Sequence, residues 1–384
     1  SSPIVWGNRV FVTTVVNSGV TEEAKKGLYF GGERPDIADS LHQWIVYCLD
    51  LETGKILWER QVHEGTPTSS SHIKNSLASE TPVVDAERVY FFFGNLGVFC
   101  FDHEGNPQWD TAVAAHKTRY GWGSAASLTL HKNRLYLVND NDEDSYLQAL
   151  DTKTGAEVWR VPRDEKSNWS TPYIWESGAR TEIVTLGSGK VRAYDLDGKL
   201  LWSLAGMSTI TIATPYAHDG LLYFSSGYVG DRDARPIYAV RPGATGDISL
   251  AEGETSNKWI AWCQPMAAPY NPSTLLYDDR LYVLYDRSQV SCFNPKTGEP
   301  IYEKERLPKG AGFTASPWAY NGMVFCYNED GVTYVLKAGD TFEVLHTNTL
   351  AEDDMGMATP AMAGDRLLIR SEARLYCIRE GAGS

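Results

Sequence analysis

Apolar and polar positions along this 384-residue chain alternate in short runs, and the runs recur. Segments such as Arg134 to Val138 and Asp279 to Leu284 read with a period of two around a Leu-Tyr pair. That period sends successive side chains to opposite faces, so each run predicts a short antiparallel strand. The runs belong to a repeat of about 43 residues. Each unit opens on Ser/Thr-Pro or a variant, reaches a Tyr or Phe about eight residues later, and passes through an Asp-x-x-Thr-Gly turn into a strand bearing Trp. Pro3, Pro82, Leu128, Pro172, Pro215, Thr274, Pro317 and Pro360 mark eight starts, spaced by 79, 46, 44, 43, 59, 43 and 43 residues. The two long intervals hold insertions, at about residues 17–42 and 228–258, which read as long surface loops, the first marked by Gly31 to Pro35.

The turn is clearest from Asp50 to Trp58, and it recurs from Asp102 to Trp109, Asp151 to Trp159 and Asp195 to Trp202. Weaker copies run from Asn294 to Tyr302 and from Lys337 to Leu345, and in the fifth repeat either Trp259 or Trp262 takes the Trp position. Asp accepts from the turn backbone and Gly takes the positive φ, which closes a tight hairpin. Four short strands cannot bury both faces alone, but sheets stacked radially can. The expectation is one all-β domain over residues 1–384: an eight-bladed β-propeller of four-stranded antiparallel blades, with the tryptophans packed between blades. The eighth repeat stops at Leu375 to Arg379 without an outer strand, which predicts a closing strand from before residue 1.

The Ser/Thr-Pro, Leu-Tyr, Asp-x-x-Thr-Gly and Trp pattern resembles the pyrroloquinoline-quinone (PQQ)-like repeat over essentially the whole chain. It is similar to that in compact eight-bladed members such as the outer-membrane assembly lipoprotein BamB. The resemblance implies a periplasmic, cell-envelope or secreted setting. It offers two activities, a protein-docking scaffold or a quinone-dependent dehydrogenase. The dehydrogenases of this family carry adjacent cysteines beside the quinone, and no Cys-Cys pair occurs here. No cofactor is therefore expected, with PQQ as the alternative.

A net charge of −14 argues against nucleic acid or an anionic membrane as partner. No run reaches the ~18 apolar residues of a membrane span. Cys48, Cys100, Cys292 and Cys377 share one repeat position; with Cys263 and Cys326 they read as free thiols rather than bridges or zinc ligands. Asp140 to Asp144 places carboxylates at alternate positions as a calcium loop does, but Ser145 stands where such a loop needs Gly. A solvated acidic hairpin is the preferred reading.

In a propeller, the segments linking one blade's outer strand to the next blade's inner strand converge on the channel. Those at Met207–Thr214, Met266–Pro272, Lys309–Ser316 and Asp353–Thr359 are built mainly from small residues. Those at 71–81, 116–124 and 166–171 instead carry His72, Lys74, Asn75, Glu80, His116, Lys117, Arg119, Trp122, Lys166, Asn168 and Trp169. Gathered together, these residues predict a cationic, aromatic mouth that binds a small anionic or carbohydrate ligand, or a protein partner through the loops. The competing reading is a solvated loop set paired with Glu80, Asp164 and Glu165. No nucleophile elbow, HExxH or phosphate loop occurs. A binding protein, monomeric and without catalytic residues, is thus expected; the alternative is a carbohydrate-acting enzyme using His72 or His116 with Glu80.

Overall fold

The computed structural model describes residues 1–19, 22–34, 36–308, 310, 312–350 and 354–379. Val20, Thr21, Pro35, Lys309, Ala311 and Asp353, all within segments singled out above, lie outside the described residues. One 3₁₀ turn, Arg119–Gly121, is the only helical element among the described residues. The strands sort into eight sheets in chain order, forming the eight-bladed propeller. Six sheets have four antiparallel strands; blade 1, for example, is Ile4–Trp6, Arg9–Asn17, His42–Asp50 and Ile56–Gly65. The first strands of successive blades approach one another, as Ile4–Trp6 does Val83–Val84, so they line the channel and the fourth strands form the rim.

The repeat motif acts twice in this packing. In the turn, Asp50 accepts from the Thr53 amide and hydroxyl, both at 2.7 Å, which holds its carboxyl below the usual range. The turn Gly does more than adopt positive φ. A Cβ on Gly105, Gly155 or Gly298 would lie 2.6, 2.4 or 2.6 Å from the indole of Trp58, Trp109 or Trp262 on the preceding blade. Each indole N–H then donates to the carbonyl just after the next blade's turn Asp or Asn: Trp58 to His103, Trp109 to Thr152, Trp159 to Leu196 and Trp262 to Pro295. Within each blade the Trp pairs with a small residue, Cys48, Cys100, Ala149, Ala193 or Ala239, and a bulge follows directly. Register thus places Trp262, not Trp259, at the repeat position.

The Ser/Thr-Pro step forms a second ring at the channel. At six of the eight starts the residue before the Pro position donates its amide to the hydroxyl of its counterpart in the next blade: Ser2 to Thr81, Thr81 to Ser127, Ser127 to Thr171, Thr214 to Ser273, Ser273 to Ser316 and Ser316 to Thr359. Apolar side chains fill the gaps between sheets, as Phe11, Val46 and Trp58 of blade 1 do against Phe91 and Phe101 of blade 2. Blade 8 closes on blade 1 through Val10, Leu51 and Leu368, with Arg366 on Glu52 at 2.5 Å.

Several expectations need adjustment. Trp58, Trp202 and Trp262 are buried, but Trp109 and Trp159 are half-buried. Blade 8 has three strands among the described residues, in keeping with the outer strand its repeat lacks. The 228–258 insertion is not one loop, since the third strand of blade 5, Ile237–Val240, lies inside it. The remainder, 241–259, adds Gly246–Asp247 as a parallel fifth strand on blade 4. Trp202 lies beside it, and its N–H turns to Glu182 at 2.6 Å instead of to the next blade. All six cysteines are free; five are buried and Cys377 is exposed, and burial pushes the thiols of Cys48, Cys100 and Cys292 up to about 12.

Candidate binding site at the channel mouth

Strand direction alternates across each blade, so the loops between second and third strands share one face with the inter-blade connections. On that face a cavity of ≈ 900 Å³ opens at the channel. His72, Lys74, Asn75, Trp122 and Trp169 line it. Trp122 packs on Trp169 at 5.9 Å between ring centres and on His72 at 5.1 Å. Asn75 is committed on both sides: its amide donates to the Trp122 and Ser124 carbonyls, and its oxygen accepts from Leu77 N and Ser79 Oγ. The Trp169 indole donates to the Gly123 carbonyl at 2.7 Å. These bonds hold the wall together.

The blade 1 insertion crosses this mouth. Its residues 22–34, here called the strap, are pinned from both sides of the channel. Lys74 Nζ donates to the Gly27 carbonyl at 2.6 Å and to both oxygens of Glu329, at 2.9 and 2.8 Å. Glu329, from the loop between the second and third strands of blade 7, also accepts from the Gly27 amide at 2.6 Å and from Thr314 Oγ1 at 2.6 Å. His72 Nδ1 accepts from the Lys74 amide, so its Nε2 carries the hydrogen that reaches the Phe30 carbonyl at 3.1 Å. Burial, with the nearby Lys74 charge, lowers the His72 pKa and keeps the ring neutral. The Trp122 indole donates to the Gly32 carbonyl at 3.1 Å, and the Arg34 amide to the Tyr120 carbonyl at 2.7 Å. Phe30 sits edge-on to Tyr120 and Trp122, at 5.0 and 5.4 Å. Tyr120 holds that place with φ of 58°, an unusual backbone for a non-glycine residue.

The remaining candidates do not line the cavity, which corrects the expectation of one continuous patch. His116 lies 3.6 Å from Glu143, and the Lys117 amide donates to the same carboxylate. Lys166 reaches the Asp142 carbonyl, and Asn168 donates to Asp140. Asp140 is itself gripped by Arg163 at 2.7 and 2.8 Å. The acidic hairpin is thus a tie between blade 3 and its neighbours. Glu80 is buried under the mouth, accepting from Ser124 Oγ at 2.7 Å and Gly94 N at 3.1 Å; burial pushes its carboxyl up to about 7. Arg119 reaches past the next connection to the one between blades 4 and 5, donating to the Thr209 carbonyl and lying over Tyr120 and Tyr228. The charge at the cavity is also not positive: Glu22, Glu23, Asp286, Glu329 and Glu372 outnumber Arg34, Lys74 and Arg370. Pattern reading missed Glu329, Tyr120 and the strap. Gly31-Gly32 was the visible signal, legible as a loop but not as a crossing.

The profile of the family described as outer membrane protein assembly factor BamB matches residues 36–142, 143–248 and 259–384. The chain belongs to that family. It is 22% identical, over 94% of its own length and 86% of the relative's, to outer membrane protein assembly factor BamB of Yersinia pestis. The solved structure of BamB from Moraxella catarrhalis is similar at 14% identity and a TM-score of 0.59, covering 93% of this chain and 99% of that one. A quinohemoprotein alcohol dehydrogenase from Pseudomonas putida shares the fold at 13% identity and a TM-score of 0.56, over 90% of this chain and 71% of the enzyme. The cavity does not fit the quinone of such enzymes. A tricarboxylate needs unspent cations, whereas Lys74 is held by Glu329, Arg34 by Glu22, and Arg370 donates to Ser1 beside an excess of carboxylates.

Proposed function

We propose that this chain is a non-catalytic docking propeller of the bacterial cell envelope, which engages a protein partner at the strap-capped mouth. The observation that carries the reading is the commitment of the mouth's reactive side chains. Both His72 nitrogens are bonded to backbone, and Lys74 is neutralised by Glu329, so neither is poised as a base or nucleophile. Left outward are ring surfaces, Tyr29 and Phe30 at 37% and 49% exposure, of the kind that anchor protein contacts. Membership in a family described by outer membrane protein assembly supports a periplasmic location and a partner in that process. No helix among the described residues is long and apolar enough to cross a membrane. His72, Lys74, Asn75, Trp122 and Trp169 form the wall of the proposed surface, and Arg119 extends it.

Photo-crosslinkable residues at Tyr29 and Tyr228, compared with Tyr320 and Met362 on the opposite face, test this in the producing bacterium. Adducts with an outer-membrane assembly component from the mouth positions are expected. Adducts confined to the opposite face would overturn the assignment.

A further inference from the structure

The mouth groups do not simply touch the strap; they read its main chain. Five contacts are to backbone: the Gly27 amide on Glu329, the Gly27 carbonyl on Lys74, the Phe30 carbonyl on His72, the Gly32 carbonyl on Trp122, and the Arg34 amide on the Tyr120 carbonyl. Side-chain selection enters at two neighbouring positions. Phe30 lies in the angle between Tyr120 and Trp122. At the next residue, a Cβ on Gly31 would fall 2.3 Å from His72 Nε2, and its φ of +75° also requires Gly. This geometry suits a polypeptide segment in which an aromatic residue is followed by a glycine of positive φ.

The strap is also weakly attached in the hydrophobic sense. Gly31 is its only buried residue, so no apolar side chain of the strap is lost to the core. Segments that bury little apolar surface open locally at low cost. The wall beneath is held by its own bonds through Asn75 and Trp169 and would keep its shape without the strap.

We infer that the mouth is a recognition site for a polypeptide segment carrying an aromatic-glycine step, occupied in cis by residues 27–34 until a partner's segment of that chemistry displaces them. This rests on the docking reading above and names the kind of segment that is docked. A tether presents its ligand at an effective concentration of about 1 mM, so against a trans Kd of about 10 μM the strap weakens apparent affinity roughly a hundredfold.

The test uses the full chain with residues 22–34 replaced by an equal length of Gly and Ser, its fold checked by circular dichroism and thermal melting. The probe is a labelled synthetic peptide of Gly27 to Arg34, followed by fluorescence anisotropy. Binding to the strap-replaced chain, with wild type roughly a hundredfold weaker, is expected. Phe30→Ala or Gly31→Ala in the peptide should each reduce affinity at least about tenfold. Phe30→Ala in the otherwise intact chain, which loosens the strap without removing it, should raise its affinity for the unmodified peptide. A folded strap-replaced chain that does not bind, equal affinity with and without the strap, or indifference to the peptide changes would overturn the inference. Should peptide binding fail while mouth crosslinks persist, docking stands and only the aromatic-glycine peptide mode falls. Should the peptide bind while crosslinks map to the opposite face, the peptide site stands and docking of the assembly partner at the mouth falls.

Discussion

The two insertions of this ring, 241–259 in blade 5 and the strap 22–34 in blade 1, extend the same repeat in opposite ways. The first is welded. It buries Ala244 and Ile248 in a core with Trp202, pairs Gly246–Asp247 in parallel with blade 4, and donates the Ile248 amide to the Ser203 carbonyl at 2.9 Å. The strap is pinned instead, by hydrogen bonds between its backbone and side chains from distant blades, with only a glycine buried. Burial of apolar surface drives folding, whereas a hydrogen bond made on folding largely replaces one to water. The contrast teaches that the welded insertion is part of the fold, while the pinned one can exchange with an outside ligand.

The largest effect should come at the weld. Trp202→Ala removes a fully buried indole and the N–H on buried Glu182, and should cost about 3–5 kcal/mol by denaturant unfolding. Trp159→Ala, at the same repeat position without an added strand, should cost about half as much because its ring is half-buried. Equal losses would show that the insertion adds nothing to the Trp202 environment.

Beneath the strap, Glu80 makes stability depend on pH. Its carboxyl holds a proton up to about pH 7 in the fold, against an ordinary value of 4.5. The folded state therefore binds more protons between those values, and the stability this group contributes falls as pH rises through that window. Glu80→Gln should thus gain up to about 3 kcal/mol over wild type at pH 8 and little at pH 4. A pH-independent difference would remove Glu80 as the cause.

Ile248→Ala should cost about 2–3 kcal/mol, read by the same unfolding curves. Replacing the strap should change stability by less than about 1 kcal/mol, since no apolar side chain leaves the core. A loss above about 2 kcal/mol would mean the strap is welded too, and would erase the contrast.

Much of the fold was readable from the chain because the forces that specify it are local and repeated. An Asp50-type turn needs Asp, Thr and Gly within five residues, and the pairing of Trp with a small residue needs only one hairpin. Even the contacts between blades are legible, since each Trp58-type indole meets a turn written one repeat later. The candidate site was readable only in part. Of the residues it named, His72, Lys74, Asn75, Trp122 and Trp169 line one cavity. It misplaced His116, Lys117 and Lys166, whose partners lie on the acidic hairpin of the adjoining blade.

The repeat therefore determines the ring, its turns, its Trp spacers and its hydroxyl girdle without reference to anything far away in the chain. Which side chains face the channel, whether the charge there is positive, and what covers it were decided in three dimensions. Lys74 and Glu329 stand 255 residues apart, and the Gly27 carbonyl and amide join them across the mouth. No periodicity encodes that meeting, because it depends on closing the ring and on the path of one loop over the channel. A cation counted as free along the chain is spent once a blade far away in sequence supplies a carboxylate.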